Sequence, residues 1–301
     1  MTQKAKVGRV LRVLGGFYRV ILPDGSVEEC RLAGKLKGGA GARGIGPVLP
    51  GDYVHIQLTG SINVITAIAS RRNELVRPAV ANVDTCVLVQ SFTQPDPIYE
   101  LMEKVLIQAS AQGITPIICW TKADLVDFKQ QELQITPFTK YGYLCISTSV
   151  VSGNGLQLLK ETLAERVSIL AGISGVGKSS LLNALCTHAK QDTNPLSARI
   201  QRGKHTTRHV ELLPLSTGGW LADSPGFSAV DLSAIDAIQL GRCYPDYLTL
   251  APNCRFANCR HQNEPECAIK QAVASGELDA ARYSRYLQYL EEVETNAARR
   301  Y

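Results

Sequence analysis

Short segments in which apolar and polar residues alternate fill the first seventy positions of the chain. A period of two residues places successive side chains on opposite faces of a strand, so each segment predicts a half-buried strand. A turn sequence, Pro23-Asp24-Gly25, and a glycine-rich basic loop at residues 35–46 interrupt the pattern. The predicted strands are residues 7–13, 16–22, 26–32, 53–58 and 63–69. Five short strands favour a small barrel of the oligonucleotide-binding (OB) type, although an SH3-like barrel would give a similar pattern.

Beyond Arg72 the strands alternate with helices. Residues 83–90 form a continuous apolar run, which is typical of a parallel strand buried on both faces. Further strands are predicted at residues 115–120, 143–147 and 167–171, and helices at residues 98–112, 156–166, 179–185 and 281–297. Strands that alternate with helices imply an α/β sheet with crossover connections.

The composition is ordinary for a soluble globular protein. Of the 301 residues, 45% are hydrophobic and 20% are charged. The longest apolar runs stay well below the roughly 18 residues of a membrane span. The N-terminus is positively charged but no apolar core follows it, so we expect no secretory signal and a cytoplasmic location.

Positive charge is concentrated at the start of the chain. Residues 1–72 contain 11 Lys and Arg against 4 Asp and Glu, a net charge of +7, whereas the remaining 229 residues carry 21 against 23, a net charge of −2. A basic module of this kind is typical of proteins that bind nucleic-acid phosphates. Chance clustering of solvated charges is the alternative.

The sequence Gly172-Ile173-Ser174-Gly175-Val176-Gly177-Lys178-Ser179, here called the phosphate loop, follows one predicted strand and opens a predicted helix. It matches the pattern G-x-x-x-x-G-K-[ST], which indicates a phosphate-binding loop when a strand precedes it and a helix follows it, as predicted in this chain. Glycines let backbone N–H groups curve around phosphate oxygens, and the N-terminus of the helix adds partial positive charge. Lys178 would neutralise the β- and γ-phosphates, and the Ser179 hydroxyl would ligate Mg²⁺.

Asp223-Ser224-Pro225-Gly226 follows an apolar segment, and Asp223 lies 44 residues after Ser179. A carboxylate in this position is suited to hold Mg²⁺ through water, and the Gly226 backbone N–H could turn toward a γ-phosphate. Between the two motifs, residues 203–208 offer two threonines that could complete the Mg²⁺ coordination when GTP is bound. Chemistry alone does not separate Thr206 from Thr207.

A second element, Thr121-Lys122-Ala123-Asp124, precedes the phosphate loop and ends a predicted strand. The Asp124 carboxylate could accept both the N1–H and the N2–H of guanine, a pattern that adenine does not offer, while the stem of Lys122 would pack over the base. Ser147-Thr148, near the end of the next strand, has the position of a further base contact. In most GTPases the phosphate loop comes first, so the order of motifs in this chain is inverted.

Three of the nine cysteines cluster with a histidine in the pattern Cys254-x4-Cys259-x-His261-x5-Cys267. Three thiolates and one imidazole within fourteen residues suit a tetrahedral Zn²⁺ ion. Because four protein ligands fill the coordination shell, the sequence predicts one structural zinc ion and no hydrolytic role for it. Unrelated free thiols are the alternative.

Together these motifs resemble the circularly permuted, ribosome small-subunit-dependent GTPases of the RsgA (YjeQ) family, over almost the whole chain. The similar segments include the phosphate loop extended to Ser180, the base-reading elements and the zinc cluster. The resemblance implies three domains, which are an OB-fold at residues 1–72, a permuted α/β GTPase domain at residues 73–232 and an α-helical zinc-binding domain at residues 233–301. One departure from the family concerns Thr121, where the family usually has Asn. Many GTPases place a water-orienting glutamine at the position of Phe227, but a hydrophobic residue there matches this family and predicts slow intrinsic hydrolysis. The water-orienting group would then come from His205 or from the ribosome.

The resemblance implies a Mg²⁺-dependent GTPase that is stimulated by the small (30S) ribosomal subunit and its 16S rRNA and that assists late subunit maturation. We expect a monomer with no membrane partner. A GTP-gated RNA-binding module with little turnover is the alternative. An ATPase is a third hypothesis, and Asp124 is evidence against it because its carboxylate matches guanine and not adenine. The permuted order also suggests that the nucleotide state is relayed to rRNA contacts, because residues 203–227 lead directly into the zinc domain.

Overall fold

The computed structural model describes five stretches of the chain, which are residues 5–36, 46–59, 62–186, 210–227 and 232–299. These residues form two compact units. The first unit comprises residues up to 86 with residues 156–171 and 178–227, and the second comprises residues 87–155, 172–177 and 228 onward. Each unit therefore combines segments that are far apart in the sequence.

Strands dominate the first third of the described chain, and helices dominate its last third. The strands are β1 (Ala5–Leu14), β2 (Phe17–Ile21), β3 (Val27–Leu32), β4 (Tyr53–Gln57), β5 (Asn63–Ile68), β6 (Glu74–Val76), β7 (Ala79–Ala81), β8 (Thr85–Ser91), β9 (Thr115–Thr121), β10 (Leu144–Ser147), β11 (Val167–Ala171), β12 (Glu211–Pro214) and β13 (Trp220–Phe227). The α-helices are α1 (Tyr99–Ala111), α2 (Phe128–Lys140), α3 (Leu156–Thr162), α4 (Lys178–Leu185), α5 (Ala237–Arg242), α6 (Pro245–Leu250), α7 (Ala268–Ser275) and α8 (Ala280–Ala298). Single 3-10 turns occur at Gly34–Leu36, Ala123–Leu125 and Ala251–Asn253.

Strands β1 to β5 close into a barrel in the first unit. β1, β2 and β3 pair antiparallel in succession, β3 pairs parallel with β5, and β4 pairs antiparallel with both β5 and β1. One buried apolar cluster fills the interior, with contributions from Val10, Val20, Cys30, Val54, Ile56 and Ile65. The alternation of apolar and polar positions thus follows the inner and outer faces of the barrel. The predicted barrel of the OB type is confirmed.

A buried ion pair anchors the end of the barrel to the chain that follows. Asp52 is completely buried and accepts hydrogen bonds from Nε of Arg71 at 2.7 Å, from Nη2 of Arg71 at 2.8 Å and from the backbone N–H of Leu49 at 2.7 Å. The hydrogen bonds to Asp52 raise the pKa of Arg71 above its ordinary value. Bidentate pairing of this kind fixes geometry as well as charge. The hairpin formed by β6 and β7 begins three residues later.

Three strands of the α/β region also belong to the first unit. β11 is buried along its whole length and pairs parallel with β13, while β12 pairs antiparallel with β13. β12 also pairs with β1 of the barrel, where Glu211 is the register partner of Arg12. The short strand β12 therefore has the barrel on one side and the α/β strands on the other. The sequence pattern did not predict β12.

β9, β10 and β8 from Val87 onward lie in the second unit. β9 lies between β8 and β10 and pairs parallel with β10. Helix α1 connects β8 to β9 and helix α2 connects β9 to β10, as expected of crossover connections. The helices predicted at residues 98–112, 156–166, 179–185 and 281–297 are confirmed as α1, α3, α4 and α8. α3 ends at Thr162, earlier than predicted, and Glu165 just beyond it has a positive φ of 58°, which an α-helix cannot accommodate.

Helices α5 to α8 share one apolar cluster with α1 in the second unit. The cluster includes Ile107 of α1, Leu240, Tyr247, Ile269 and Leu290. Beside it, the buried carboxylate of Glu103 accepts two hydrogen bonds from Arg285, at 2.8 and 2.7 Å. Arg282 is also buried, donates to Asp246 at 3.1 Å and stacks over the ring of Tyr141 at 4.0 Å. The Arg285 pair holds α8 against α1, and the Arg282 pair holds it against α6. Breaking either pair would leave an uncompensated buried charge.

The α-helical C-terminal region predicted from the sequence is thus confirmed. The boundaries expected at residues 72 and 232 stay predictions. Among the helices of the described stretches, none is both long and apolar enough to cross a membrane.

Candidate nucleotide and zinc sites

The glycines of the phosphate loop adopt conformations that other residues avoid. Gly172 follows β11 directly and has a φ of +136°, and a Cβ at this position would lie 2.3 Å from the carbonyl oxygen of Val89. Gly177 has a φ of +95° and precedes helix α4, which begins at Lys178. A side chain at either position would be strained. The backbone can therefore curve tightly ahead of a helix N-terminus, which is the geometry of a phosphate cradle.

The polar residues of the phosphate loop and of the first turn of α4 face solvent. Ser174 and Gly175 are exposed in the loop, and Ser179 and Ser180 are exposed on the helix, while Val176 is completely buried. Burial lowers the pKa of the half-buried Lys178 ammonium group. A polyphosphate beside Lys178 would offset the cost of this partly desolvated charge.

Asp223 lies where β13 departs from regular pairing with β11. Ile169 pairs with Ala222 and Ala171 pairs with Phe227, so residues 223–226 form an irregularity beside the end of β11. Burial raises the pKa of the half-buried Asp223 carboxyl. A divalent cation would favour the ionised form of such a carboxyl, so Asp223 fits a role in Mg²⁺ binding. For Gly226 the structure describes the backbone only, within β13.

The hydroxyl of Thr121 connects the guanine-reading element to the phosphate loop. Thr121 is the last residue of β9 and is buried, and its Oγ1 donates a hydrogen bond of 2.6 Å to the backbone carbonyl of Val176. The backbone carbonyl of Thr121 accepts from the N–H of Phe92 at 3.1 Å. Two motifs that are 55 residues apart in the sequence are therefore in direct contact. The hydroxyl is sufficient for this contact although Thr lacks the amide of Asn.

The other residues of the element present the Asp124 carboxylate to solvent. Lys122 has a left-handed conformation with a φ of 60°, and its ammonium group donates to the backbone carbonyl of Gln94. Asp124 follows in an exposed 3-10 turn. Its Oδ1 accepts a hydrogen bond of 2.5 Å from the hydroxyl of Ser149, which is itself buried. The Asp124 carboxylate is therefore accessible to solvent, and the buried Ser149 hydroxyl fixes its orientation.

Ser149 is the site residue that the sequence analysis missed. The sequence pointed instead to its neighbours, Ser147 and Thr148. Ser147 donates to the side chain of Gln131 at 2.8 Å, and the backbone N–H of Thr148 donates to the carbonyl of Trp120 at 2.7 Å. The first bond attaches the end of β10 to helix α2 and the second attaches it to β9, while the role of Ser147 and Thr148 as base contacts stays a prediction. The run Ser-Thr-Ser at the end of a strand was the available indication of Ser149.

Replacing Thr121 with valine should weaken the binding of GTP and GDP alike, by about tenfold. Valine keeps the shape of threonine but leaves the carbonyl of Val176 without its donor, at a cost of about 1–3 kcal/mol. Titration calorimetry with each nucleotide measures the change. Thr115→Val is the matched control, because Thr115 begins the same strand and is exposed. Equal affinities for Thr121→Val and the wild type would show that the bond does not support the loop.

Residues 203–208, which were predicted to contact Mg²⁺ and the γ-phosphate, lie outside the described residues. They include His205, Thr206 and Thr207, and the roles of these three residues stay predictions.

The four predicted zinc ligands converge in the second unit. The Sγ atom of Cys254 lies 3.7 Å from Nδ1 of His261 and 4.0 Å from Sγ of Cys267, which in turn lies 3.4 Å from the same Nδ1. With Cys259 included, all four ligand atoms lie within 4.8 Å of one another. Ligand atoms around tetrahedral zinc lie about 3.5–3.8 Å apart. The donor set and its spacing therefore fit a zinc ion.

Burial affects the thiols and the imidazole of the cluster in different ways. Burial raises the pKa of Cys259 to about 12, raises that of Cys267 and lowers that of His261. Neutral imidazole is the form that ligates zinc, and zinc itself would stabilise the thiolates. The hydroxyl of Tyr283 donates to the backbone carbonyl of His261 at 2.7 Å, and a Cβ on Gly241 would lie 3.2 Å from the imidazole ring. Tyr283 thus holds the backbone of His261, and the absence of a side chain at position 241 leaves room for its ring.

The model of one protein family, described as RsgA GTPase, matches residues 68–233. The chain belongs to the RsgA GTPase family. The family resemblance inferred from the motifs is thereby confirmed, and so is a GTP hydrolase as the class of enzyme. The match begins in the last strand of the barrel and ends beyond β13, so it includes every nucleotide motif described above.

Relatives from the RsgA family are similar along their whole length. The small ribosomal subunit biogenesis GTPase RsgA of Alkaliphilus metalliredigens is 41% identical over 297 residues, which cover 98% of this chain and 99% of the relative. The protein of the same name from Caldanaerobacter subterraneus subsp. tengcongensis is 39% identical over 295 residues, covering 98% of each chain.

Two solved structures share both the fold and a substantial part of the sequence. The crystal structure of YloQ, described as a circularly permuted GTPase, superposes with a TM-score of 0.81 at 32% identity, covering 97% of this chain and 96% of that one. YjeQ from Thermotoga maritima gives a TM-score of 0.79 at 30% identity, covering 96% and 99%. The inverted order of motifs therefore reflects a permuted GTPase fold.

Proposed function

We propose that this chain is a Mg²⁺-dependent GTPase that binds the small (30S) ribosomal subunit, is stimulated by it and assists its late maturation. The observation that carries the proposal is the hydrogen bond from Thr121 to Val176, because it joins a guanine-reading element to a phosphate loop. The names of the full-length relatives support the ribosomal part of the proposal. The proposed domains are residues 1–72, 73–232 and 233–301.

The phosphate loop would hold the triphosphate and position its γ-phosphoryl group. Backbone N–H groups of residues 172–177 would bind phosphate oxygens, and Lys178 would place its charge beside the β- and γ-phosphates. Ser179 and Asp223 would hold the Mg²⁺ ion, one directly and the other through water. When bound, Mg²⁺ neutralises charge that develops on the phosphate oxygens. Attack by water in line with the leaving oxygen then requires mainly positioning.

The γ-phosphate would be sensed by the segment that follows the phosphate loop in the chain. The Gly226 N–H would donate to it, and Thr206 or Thr207 would complete the metal coordination. Because Phe227 has no hydrogen-bonding group, we propose that His205 or the ribosome orients the attacking water. This assignment would account for the proposed stimulation of turnover by the subunit.

Guanine specificity would come from Asp124 and its supports. The exposed carboxylate would accept the N1–H and N2–H of the base, and the hydroxyl of Ser149 would keep it oriented. The stem of Lys122 would cover one face of the base. Ser147 and Thr148 would lie on its other side, near the guanine carbonyl.

The barrel would provide the main contact with 16S rRNA. Its outer face carries arginines stacked on aromatic rings, with Arg9 over Tyr53 at 4.7 Å and Arg31 over Phe17 at 4.4 Å. Tyr53 is exposed. Aromatic rings beside positive charge are the means by which OB barrels bind single-stranded nucleic acid. We further propose that the chain acts as a monomer in the cytoplasm, where its substrate subunit is found.

GTP turnover measured with purified small and large ribosomal subunits tests this function. We expect stimulation of at least about tenfold by small subunits and none by large subunits, because the small subunit supplies or orders the water-orienting group. Equal stimulation by both subunits would refute the specificity. Negligible turnover under all conditions would favour the alternative, a GTP-gated RNA-binding module.

A further inference from the structure

One carboxylate lies between two arginines of the barrel. Glu211 approaches Nη1 of Arg12 at 3.3 Å through Oε2 and Nη1 of Arg19 at 3.5 Å through Oε1. The Arg12 side chain is 14% exposed, that of Arg19 48% and that of Glu211 29%. The group is therefore at the surface, and one negative charge faces two positive ones.

The backbone fixes these three residues beside one another. Arg12 and Arg19 are register partners on β1 and β2, next to an irregularity in β1 that begins after Val10. Glu211, the first residue of β12, is the register partner of Arg12 on the other side. Glu211 is not part of the barrel itself. It belongs to a strand contributed by the α/β region of the same unit.

On its second edge β12 pairs with the strand that carries Asp223. Glu211 and Asp223 are register partners, and the pairing continues through Leu212 with Ala222 and Leu213 with Leu221. The residue that neutralises the barrel arginines is therefore one strand away from a proposed Mg²⁺ ligand. β12 is therefore paired both with the barrel strand of Arg12 and with the strand of Asp223.

We propose that Arg12 and Arg19 form a subsite for an RNA phosphate, which Glu211 occupies in the free protein as an intramolecular competitor. The inference rests on the proposed binding of RNA by the barrel. Guanidinium groups recognise phosphate and carboxylate oxygens in the same geometry, so both ligands compete for the same N–H donors. Ion pairs at the surface are weak in water, so an RNA phosphate that is held nearby by other contacts can displace the carboxylate.

Displacement of Glu211 links RNA binding to the nucleotide site. A phosphate on Arg12 and Arg19 removes the side-chain attachment of β12 to the barrel, and β12 is paired with the strand of Asp223. Linkage is reciprocal, so if phosphate binding at the subsite changes the affinity for a nucleotide by some factor, that nucleotide changes the affinity of the subsite for phosphate by the same factor. The RNA affinity of the barrel would thus depend on the bound nucleotide through β12 and β13, and the zinc domain would not take part in this coupling.

The affinity of the full-length Glu211→Gln variant for purified small ribosomal subunits tests the competition. With GDP bound, we expect a dissociation constant about threefold to tenfold lower than that of the wild type, since two weak ion pairs no longer oppose binding. Glu161→Gln is the matched control. It removes the same charge from an exposed position in the same unit, where Glu161 accepts a hydrogen bond from Gln157 and forms no ion pair with any described residue.

A double-mutant comparison separates competition from a general effect of charge. In an Arg12→Gln/Arg19→Gln background, Glu211→Gln should leave the affinity unchanged, and the dependence of affinity on salt should become shallower by the loss of about one phosphate contact. Tighter binding by Glu211→Gln in that background, or equal effects of Glu211→Gln and Glu161→Gln, would overturn the proposal. If the wild type bound no small subunits, the proposed function would fail as well. Binding by the wild type with no effect of Glu211→Gln would overturn the subsite alone.

The proposed coupling between the arginine subsite and the nucleotide site is tested by a separate measurement. For the wild type and for Glu211→Gln, subunit affinity is measured with GDP and with a non-hydrolysable GTP analogue. The ratio of the two dissociation constants should move toward one in the variant, because the competing carboxylate is the group that β12 carries. An unchanged ratio would overturn the link.

Discussion

Replacement of Lys178 with alanine should reduce GTP turnover by at least about 100-fold, because one preorganised charge at a phosphoryl-transfer site is worth about 3 kcal/mol or more. Lys178 begins α4, directly after the glycines that shape the phosphate loop. Burial already lowers the pKa of its ammonium group, so the protein holds this charge at a cost. Such a cost is expected where the charge serves a ligand rather than the fold.

The fold should tolerate this change. Alanine is the best helix former and replaces a residue in the first turn of α4. Turnover with saturating small subunits and binding of GTP are measured together, with thermal unfolding as the check on folding. Lys140→Ala is the control, because Lys140 is exposed at the end of α2 and should leave turnover unchanged. Turnover by Lys178→Ala within threefold of the wild type would remove the phosphate loop from the mechanism.

Replacement of Cys259 with alanine should release zinc and unfold the cluster of helices around it. Binding of structural zinc contributes about 10 kcal/mol or more to folding in small zinc domains. Cys259 and Cys267 belong to the same apolar cluster as Tyr286 and Leu290 of α8, and Cys254 packs against it. Without the metal, the buried thiols and imidazole lose the ligand that their positions match. The segment from residue 251 to 267, which has few regular elements, loses its main constraint.

Cys243→Ala separates loss of metal from loss of packing. Cys243 is equally buried in the same cluster, but its thiol donates to the backbone carbonyl of Gln239 at 3.2 Å and is not a ligand. We expect one zinc ion per chain in the wild type and in Cys243→Ala, and none in Cys259→Ala. Elemental mass spectrometry gives the zinc content, and thermal unfolding gives the stability. Full zinc occupancy in Cys259→Ala would contradict the assignment of the ligands.

Local patterns predicted the elements of the fold better than their long-range partners. The apolar run at residues 83–90 and the alternation before residue 70 identified β8 and the barrel strands. Helix α2 was missed because its sequence is polar and contains Pro137, which breaks helices in most positions but lies in the last turn here. Strand β12 has only four residues, and its pairing with β1 joins residues about 200 positions apart. No sequence period encodes such a pairing.

For the sites too, the sequence predicted local groupings of residues better than contacts between distant residues. The zinc ligands lie within one short segment, so their spacing alone predicted the convergence that the structure shows. The bond from Thr121 to Val176 and the bond from Ser149 to Asp124 connect residues that are 55 and 25 positions apart. Only the fold brings those pairs together. The motifs therefore give the groups proposed to bind the nucleotide, and the structure shows hydrogen bonds that hold Val176 and Asp124 in place.

Competition between GTP and ATP for the wild-type protein tests the guanine site most directly. A fluorescent GDP derivative is bound to the protein and displaced with each triphosphate in the presence of Mg²⁺. GTP should displace it at a concentration at least about 100-fold lower than ATP, because a site built to pair with N–H groups discriminates strongly against a base that lacks them. Displacement by ATP and GTP at equal concentrations would contradict the assignment of Asp124 and of the inverted guanine and phosphate motifs.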